Sequence, residues 1–348
     1  MPSMKAARLR SGSDITAETI TIQLDALEEI CVAAALRCGA DAEAAHAVAR
    51  ASVDAEASGQ KTVGLAHFLD YLDSWRAGRI KAGARPVLTR PLPAIIHSDA
   101  GGGVAHLGFD TAFEELVETG RTLGVGIFAQ ANAYTCGSLG YFTARLARRG
   151  LLALAATNGP ALLAGSGATK PTFCTNPLAF AAPRADGPPL LIDQASSAAA
   201  FVSIRRAAEE GKPIPEGWAL DKSGKPTTDP REAMRGALLA FGGARGANIA
   251  LMVEVLSAGL AGANWSLDAP SFSEGSQSPG AGLFVLAIDA QAIAPGFAER
   301  LDRQLQRLGR DYCVHIPGLS KNAARQSSEI SGLAVQRVLL DRIAEAGR

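Results

Sequence analysis

The sequence predicts an α/β protein, and three observations carry that expectation. Short apolar runs, "PAIIHSD" (93–99), "GVGIFAQAN" (124–132) and "GLLALAATN" (150–158), read as buried strands. Helix-period segments near 104–122 and 137–149 separate them, a β-α-β-α-β alternation. The chain has 348 residues, 47% of them hydrophobic, enough to bury one large core or two smaller ones.

The elements follow in order. The opening "MPSMKAARLRSGSDITAETI" has basic residues with no continuous apolar run after them, so no secretory leader is expected. Residues 20–57 read as two helices broken at "RCGADAEA", where Gly39 stops the first and Asp41 can cap the second. "TVGLAHFLDYL" (62–72) reads as a third helix that ends near Gly78. Leu65, Phe68, Leu69 and Leu72 form its packing stripe, while His67 shares the opposite face with Val63, Tyr71 and Ser74. Beyond the alternating core, "PLAFAAPR" and "PLLIDQAS" suggest short strands, and "GKPIPEGWALDKSGKPTTDP" (211–230) a polar excursion ordered by turn residues. "GARGANIALMVEVLSAGLAGA" suggests an apolar helix buried nearly all round. A surface loop, "PSFSEGSQSPGAG", leads to the strand "LFVLAID" and to amphipathic helices over 291–309 and 320–346. These last helices are expected to pack back on the first ones.

Several function classes drop out. Lys plus Arg and Asp plus Glu both count 34, so no charge excess is available to track nucleic acid or an anionic membrane. No window holds the roughly 18 apolar residues of a membrane span. Five cysteines, an odd number with no Cys-x-x-Cys spacing, fit reduced thiols in a cytoplasm better than a disulfide framework or zinc. No two of the five histidines have metal-ligand spacing, so no metal site is expected.

Three stretches could carry chemistry. "FGGARGANIAL" (241–251) runs straight into a helix, whose free N–H groups with Arg245 beside them suit a phosphate or carboxylate. An ordinary glycine turn explains it equally well. Asp193 ends an apolar strand, where α/β enzymes place reacting groups, although a strand-end Asp also caps turns. In "CTNPLAFAAPR" (174–184) the Asn-Pro step predicts an extended Asn176 able to present its amide to a ligand, or simply a rigid turn. There is no Walker A motif and no dinucleotide fingerprint, so a standard Rossmann fold is not indicated.

Taken together, "TNPLAFAAPR", "LIDQASS", "GKPIPEGWALDKSGKPTTDP" and "FGGARGANIALMVEVLSAGLAGANWS" resemble the malate/L-lactate dehydrogenase-like family, in matching order from about residue 20 to the C-terminus. The resemblance implies a non-Rossmann α/β fold with a central mixed sheet and N- and C-terminal helices packed together. It implies a homodimer that binds NADPH or NADH and a small carboxylate substrate, and either interconverts 2-hydroxy and 2-oxo acids or reduces cyclic imino acids. The division it suggests is a discontinuous helical domain, 1–85 plus 290–348, for dimerisation and substrate, around a cofactor-binding core, 86–289.

The same comparison marks departures. The family's Ser-His-Gly, then Arg, then Tyr, reads here with Val63 at the histidine, His67 at the arginine, and Gly64 and Tyr71 retained. Asn-His-Phe-Gly appears as "YTCG", with Thr135 at the histidine, and Gly-Gly-His-Lys-Gly appears with Ala244 and Arg245. By resemblance, Asp193, His67 and Tyr71 are the catalytic candidates. Thr135, Asn158, Thr175, Asn176, Gly243, Arg245 and Gly246 are the cofactor-binding candidates. Valine exchanges no proton. The leading expectation is therefore an NAD(P)H-dependent reductase of small 2-oxo or, better, cyclic 2-imino carboxylates, because a protonated imine needs less acid help than a ketone. Non-hydride chemistry such as elimination or isomerisation, and a catalytically inactive binding homologue, stay open as alternatives.

Overall fold

The computed structural model describes residues 18–347. The expectation about a leader falls mainly on residues 1–17, outside the described residues. The chain begins with β1 (Thr19–Ile22), α1 (Leu24–Arg37), α2 (Ala42–Ala57) and α3 (Leu65–Arg76). The break between α1 and α2 forms as expected: Gly39 takes φ +100° and Asp41 accepts the Ala44 N–H at 3.1 Å. The alternating stretch follows as β2 (Val87–Leu92), β3 (Ile95–Asp99), α4 (Ala105–Leu123), β4 (Val125–Ala133), α5 (Gly140–Arg148) and β5 (Leu152–Thr157).

Next come β6 (Leu163–Ala164), β7 (Pro171–Phe173), β8 (Leu178–Ala182), β9 (Leu190–Gln194) and α6 (Phe201–Glu210). The polar excursion folds into β10 (Ala219–Leu220), β11 (Pro226–Thr227) and the single turn α7 (Pro230–Ala233), followed by β12 (Ala237–Leu238). α8 (Ala244–Glu254) runs into a π-helical turn, Val255–Leu260. The chain closes with β13 (Ala281–Ile288), α9 (Ala290–Ile293), α10 (Phe297–Tyr312), α11 (Leu319–Ser331), β14 (Leu333–Gln336) and α12 (Arg337–Glu345).

A seven-stranded mixed sheet, ordered β2-β3-β4-β13-β5-β8-β9, organises these elements. Only β3 and β4 pair in parallel; β13 inserts antiparallel between β4 and β5. Nearly every position of β13 is buried, as a central strand covered on both faces requires. Leu283 and Val285 pack with Phe109 and Phe142 of α4 and α5, whereas Phe284 packs with Val253 of α8 on the opposite face. A second sheet, β11-β10-β12-β6-β7, lies beside α8 and takes in the polar excursion.

The first and last described strands meet. β1 pairs with β14, and Arg37 donates to the carbonyls of Ala344 (2.9 Å) and Ala346 (3.1 Å). Val335 and Ile343 complete the cluster that holds Leu27, Val48, Phe68 and Leu72. The C-terminal segment 320–346 is two helices with a strand between them, not one helix. α10 does not return to the N-terminal helices; its Asp302 binds Arg184 and the Asp186 N–H beyond β8. α8 is also less buried than its composition suggests, since Leu251, Met252, Val255 and Leu260 are each about half exposed. Among the described residues, no helix is long and apolar enough to cross a membrane.

Candidate active site

The site is built from the start of α3. Val63 is not on that helix but in the preceding turn, where its N–H reaches the Gln60 carbonyl at 3.0 Å, and Gly64 is the N-cap. The expected shared helical face therefore begins at His67. The helix starts late because buried Glu56 accepts the Leu65 N–H at 2.9 Å, and a Cβ on Gly64 would stand 2.3 Å from that carboxylate oxygen. Burial raises the Glu56 carboxyl above its ordinary range.

His67 is held at both ring nitrogens. Nδ1 lies 2.9 Å from Asp70 Oδ2, and Nε2 lies 3.3 Å from Thr135 Oγ1. Tyr71 sits edge-on at 4.9 Å, and its hydroxyl donates to the Thr135 carbonyl at 3.0 Å. Tyr71 and Ser74 are wholly buried, so this face is a second packing surface rather than a wet one. Burial pushes the Tyr71 hydroxyl well above its usual range, so it stays protonated. Behind it, buried His106 is pushed down to about 4 and is neutral at physiological pH.

The turn after β4 joins this group to Asp193. At Gly137 (φ +61°) an added Cβ would approach Tyr71 Oη at 3.4 Å, the Val63 carbonyl at 3.8 Å and His67 Cδ2 at 3.9 Å. One and three residues on, the Ser138 hydroxyl and the Gly140 N–H donate to Asp193 Oδ2 at 3.2 and 2.9 Å. Ser138 in turn accepts from Gln60 Nε2 at 3.2 Å, and Lys321 Nζ donates to Gln60 Oε1 at 3.2 Å. Val63, Thr135 and Asp193 thus border one short turn. Asp193 plays both roles open to a strand-end carboxylate: it caps α5 and fronts the site. Cys136 and Cys174 are buried thiols, raised to about 12 and about 11, which makes them packing groups rather than nucleophiles.

A second group surrounds the start of α8. Gly165, Ser166, Ala198, Gly242, Gly243 and Ala244 are among the residues lining a cleft of about 440 Å³. Gly242 (φ +57°) and Gly243 (φ +64°) turn the chain into the helix, whose first N–H groups, Ala244, Arg245 and Gly246, have no carbonyl one turn earlier to bind. Gly246 is buried, and a Cβ there would lie 2.1 Å from the Phe241 carbonyl oxygen. Arg245 is exposed beside the cleft.

The remaining cofactor candidates support backbone. Asn158 donates to the Asn264 carbonyl (2.8 Å) and accepts the Gly282 N–H (2.9 Å), so both ends of its amide are taken. Asn176 is not extended: it adopts φ +39° and donates to the Ala250 carbonyl and Glu254 Oε2, both at 2.8 Å. These bonds override the preference imposed by Pro177. The Thr175 carbonyl accepts the Ser196 N–H at 2.8 Å, and the Ser196 carbonyl accepts the Phe241 N–H at 3.0 Å. The strand carrying Asp193 therefore continues directly to the α8 cleft, and five residues of chain to Ala198 span at most about 17 Å.

Sequence reasoning missed Asp70, Gln60, Ser138 and Lys321. Asp70 was legible as the i+3 neighbour of His67. The contact between Gln60 and Lys321 joins residues 261 apart and left no local signal.

A mixed sheet covered on both faces, a cleft at a glycine-rich helix start and an imidazole braced in a polar turn define an α/β enzyme. The chain belongs to the malate/L-lactate dehydrogenase family, which matches residues 22–344, and is an oxidoreductase. It is similar to a (2R)-3-sulfolactate dehydrogenase (NADP(+)) of Chromohalobacter salexigens, with 37% identity over 88% of this chain and 92% of that one. A Delta(1)-pyrroline-2-carboxylate/Delta(1)-piperideine-2-carboxylate reductase of Pseudomonas aeruginosa is 34% identical over 92% of this chain and 97% of its own. The crystal structure of delta1-piperideine-2-carboxylate reductase from Pseudomonas syringae superposes with a TM-score of 0.90 at 32% identity, covering 94% of this chain and all of that one.

Proposed function

We propose that the protein is an NAD(P)H-dependent reductase of small cyclic 2-imino carboxylates of the pyrroline- or piperideine-2-carboxylate type, with 2-oxo carboxylates as the related class. The observation that carries this reading is the imidazole of His67, which stands where the family has an arginine. Although Val63 cannot exchange a proton, His67 stands beside the same turn as Asp193 and is bonded to Thr135. The names of the relatives support the substrate class.

The residues present fit the cofactor. The open N–H groups of Ala244 to Gly246 and the cation of Arg245 would hold its phosphates in the α8 cleft. When bound there, the reduced nicotinamide supplies hydride. The sulfolactate relative is named for NADP(+), which favours NADPH over NADH. Asp193, with two donors fixing one oxygen, is positioned to orient a cationic imine or a water with the other. His67 manages the proton. Tyr71 fixes the Thr135 peptide and keeps water from the rear of the site.

A cytoplasmic homodimer completes the proposal, supported by the exposed Leu251, Met252, Val255 and Leu260 on one helix. The test is NADPH and NADH oxidation by purified protein against a panel of cyclic imino acids and 2-oxo acids, with light scattering for mass. Oxidation with a cyclic imino acid is expected. Cofactor binding without oxidation of any kind would point instead to a binding homologue, and no binding to non-hydride chemistry.

A further inference from the structure

Three side chains beside the Gly137 turn form a continuous array whose last member nothing above assigns to chemistry. Asp70 Oδ2, His67 Nδ1, His67 Nε2 and Thr135 Oγ1 follow one another at 2.9 Å and 3.3 Å, with the imidazole between carboxylate and hydroxyl. Exposure falls along the array: the Asp70 side chain is 49% exposed and that of His67 is 21%. Thr135 is half-buried, its carbonyl pinned by the Tyr71 hydroxyl. Thr135 directly precedes the turn at Cys136 and Gly137 that also meets Val63, and the imidazole stands between it and Asp70.

We propose that the Thr135 hydroxyl is the group that protonates the substrate, with His67 as its proton source and Asp70 as the positioning residue that sets the tautomer of the ring. This rests on the reductase reading above. Asp70 faces Nδ1, so Nδ1 carries a proton in every state of the ring. With the ring an imidazolium, Nε2–H donates to Thr135 Oγ1, and the hydroxyl proton is free to face the substrate. An unprotonated imine nitrogen, or the oxygen of a 2-oxo acid under reduction, takes the Thr135 proton, the Thr135 O–H bond breaks, and the Nε2 proton passes to Thr135 Oγ1. His67 ends neutral as the Nδ1–H tautomer and Asp70 stays a carboxylate. After product leaves, water entering the emptied site gives a proton to Thr135 Oγ1 as the Thr135 hydroxyl proton passes to Nε2, which restores the imidazolium.

Burial fixes the protonation of the groups packed around His67. Tyr71 and Cys136 are held protonated by burial and His106 is held neutral. Asp70 is the acidic partner on its own helix, and Asp193 lies across Gly137 and Ser138.

The test combines three variants with three readouts: turnover, the pH profile and nitrogen NMR. Thr135→Val is expected to lower kcat at saturating cofactor on the order of 100-fold, and Thr135→Ser to restore kcat to within a few-fold. Asp70→Asn, on an exposed side chain, is expected to move the alkaline limb of the kcat/KM profile down by about one pH unit, because the imidazolium loses its carboxylate. Wild-type kcat in Thr135→Val, or an unmoved limb in Asp70→Asn, overturns the array while leaving the reductase intact. If the wild type turns over no acid, the reductase reading fails instead. Nitrogen NMR of His67 then decides the array by itself. A neutral Nδ1–H ring whose titration falls in Asp70→Asn supports it, and an unmoved titration overturns it.

Discussion

His106 shows how one buried ring sets a pH limit on this fold. It stacks on Phe142 at 5.4 Å and meets Tyr71 edge-on at 6.0 Å, with no partner for Nδ1. Burial lowers it from 6.5 to about 4, so between those values the unfolded chain binds a proton that the folded chain refuses. The stability this group contributes is complete above pH 6.5 and is lost as pH falls toward 4, up to about 3 kcal/mol. His106→Phe, which keeps an aromatic ring in an aromatic pocket, is therefore expected to flatten the stability curve in that window by about one proton. Urea titrations at pH 4.5 and 7 check it; equal slopes in wild type and variant contradict it. At this scale the sequence was only partly readable. The i,i+3 spacing of His67 and Asp70 announces a contact on a helix, whereas nothing local singles out His106, because burial is a tertiary property. Asn176 misled for the same reason: its amide bonds to α8 outweigh the local preference before Pro177.

Among the elements, the turn into α8 concentrates the most constraint in the fewest residues. Gly242 and Gly243 adopt left-handed φ values, and Gly246 must lie against the Phe241 carbonyl for the first helical turn to present its N–H groups. Gly246→Ala would force a methyl to 2.1 Å from that oxygen, so the turn must open. A cost of about 2 kcal/mol or more is expected, with cofactor affinity falling at least about tenfold and kcat with saturating cofactor changing less. Thermal unfolding and nicotinamide fluorescence measure the two effects; wild-type affinity in a folded variant would remove this turn from the phosphate site. The glycine string and Arg245 were legible as a helix start. The exposure of Leu251 and Met252 was not, because an apolar helix reads the same whether its outer face meets core or surface. The α3 start failed in a similar way: Val63 fits a helical stripe, and only the Glu56 carboxylate, buried against Gly64, moves the N-cap past it.

For the molecule as a whole, the fold closes through its last residues, and that closure reaches the site. The alternating core was readable because each strand and helix declares its period locally, and the small strands of the second sheet were not, being two or three residues long with no period to read. The insertion of β13 between β4 and β5 was also invisible, since its partners lie more than a hundred residues away. The return of the chain end has larger consequences. β14 gives β1 its partner, α12 receives Arg37 on its last carbonyls, and Val335 and Ile343 share a cluster with Phe68 and Leu72 of the helix that carries His67. Removing residues 333–348 would leave β1 unpaired and uncover α1 and α3. Loss of the two buried side chains alone is worth at least about 3 kcal/mol. The truncated chain is expected to unfold at lower temperature and to exchange amide hydrogens faster in α1 and α3 than in β4 or β13. Its kcat should fall more than its cofactor affinity, because the loosened helix holds the imidazole while the α8 cleft is built from the other half of the chain. Equal protection of α3 in both proteins would show that the helix stands without its C-terminal cover, and the link between chain closure and proton transfer would fail.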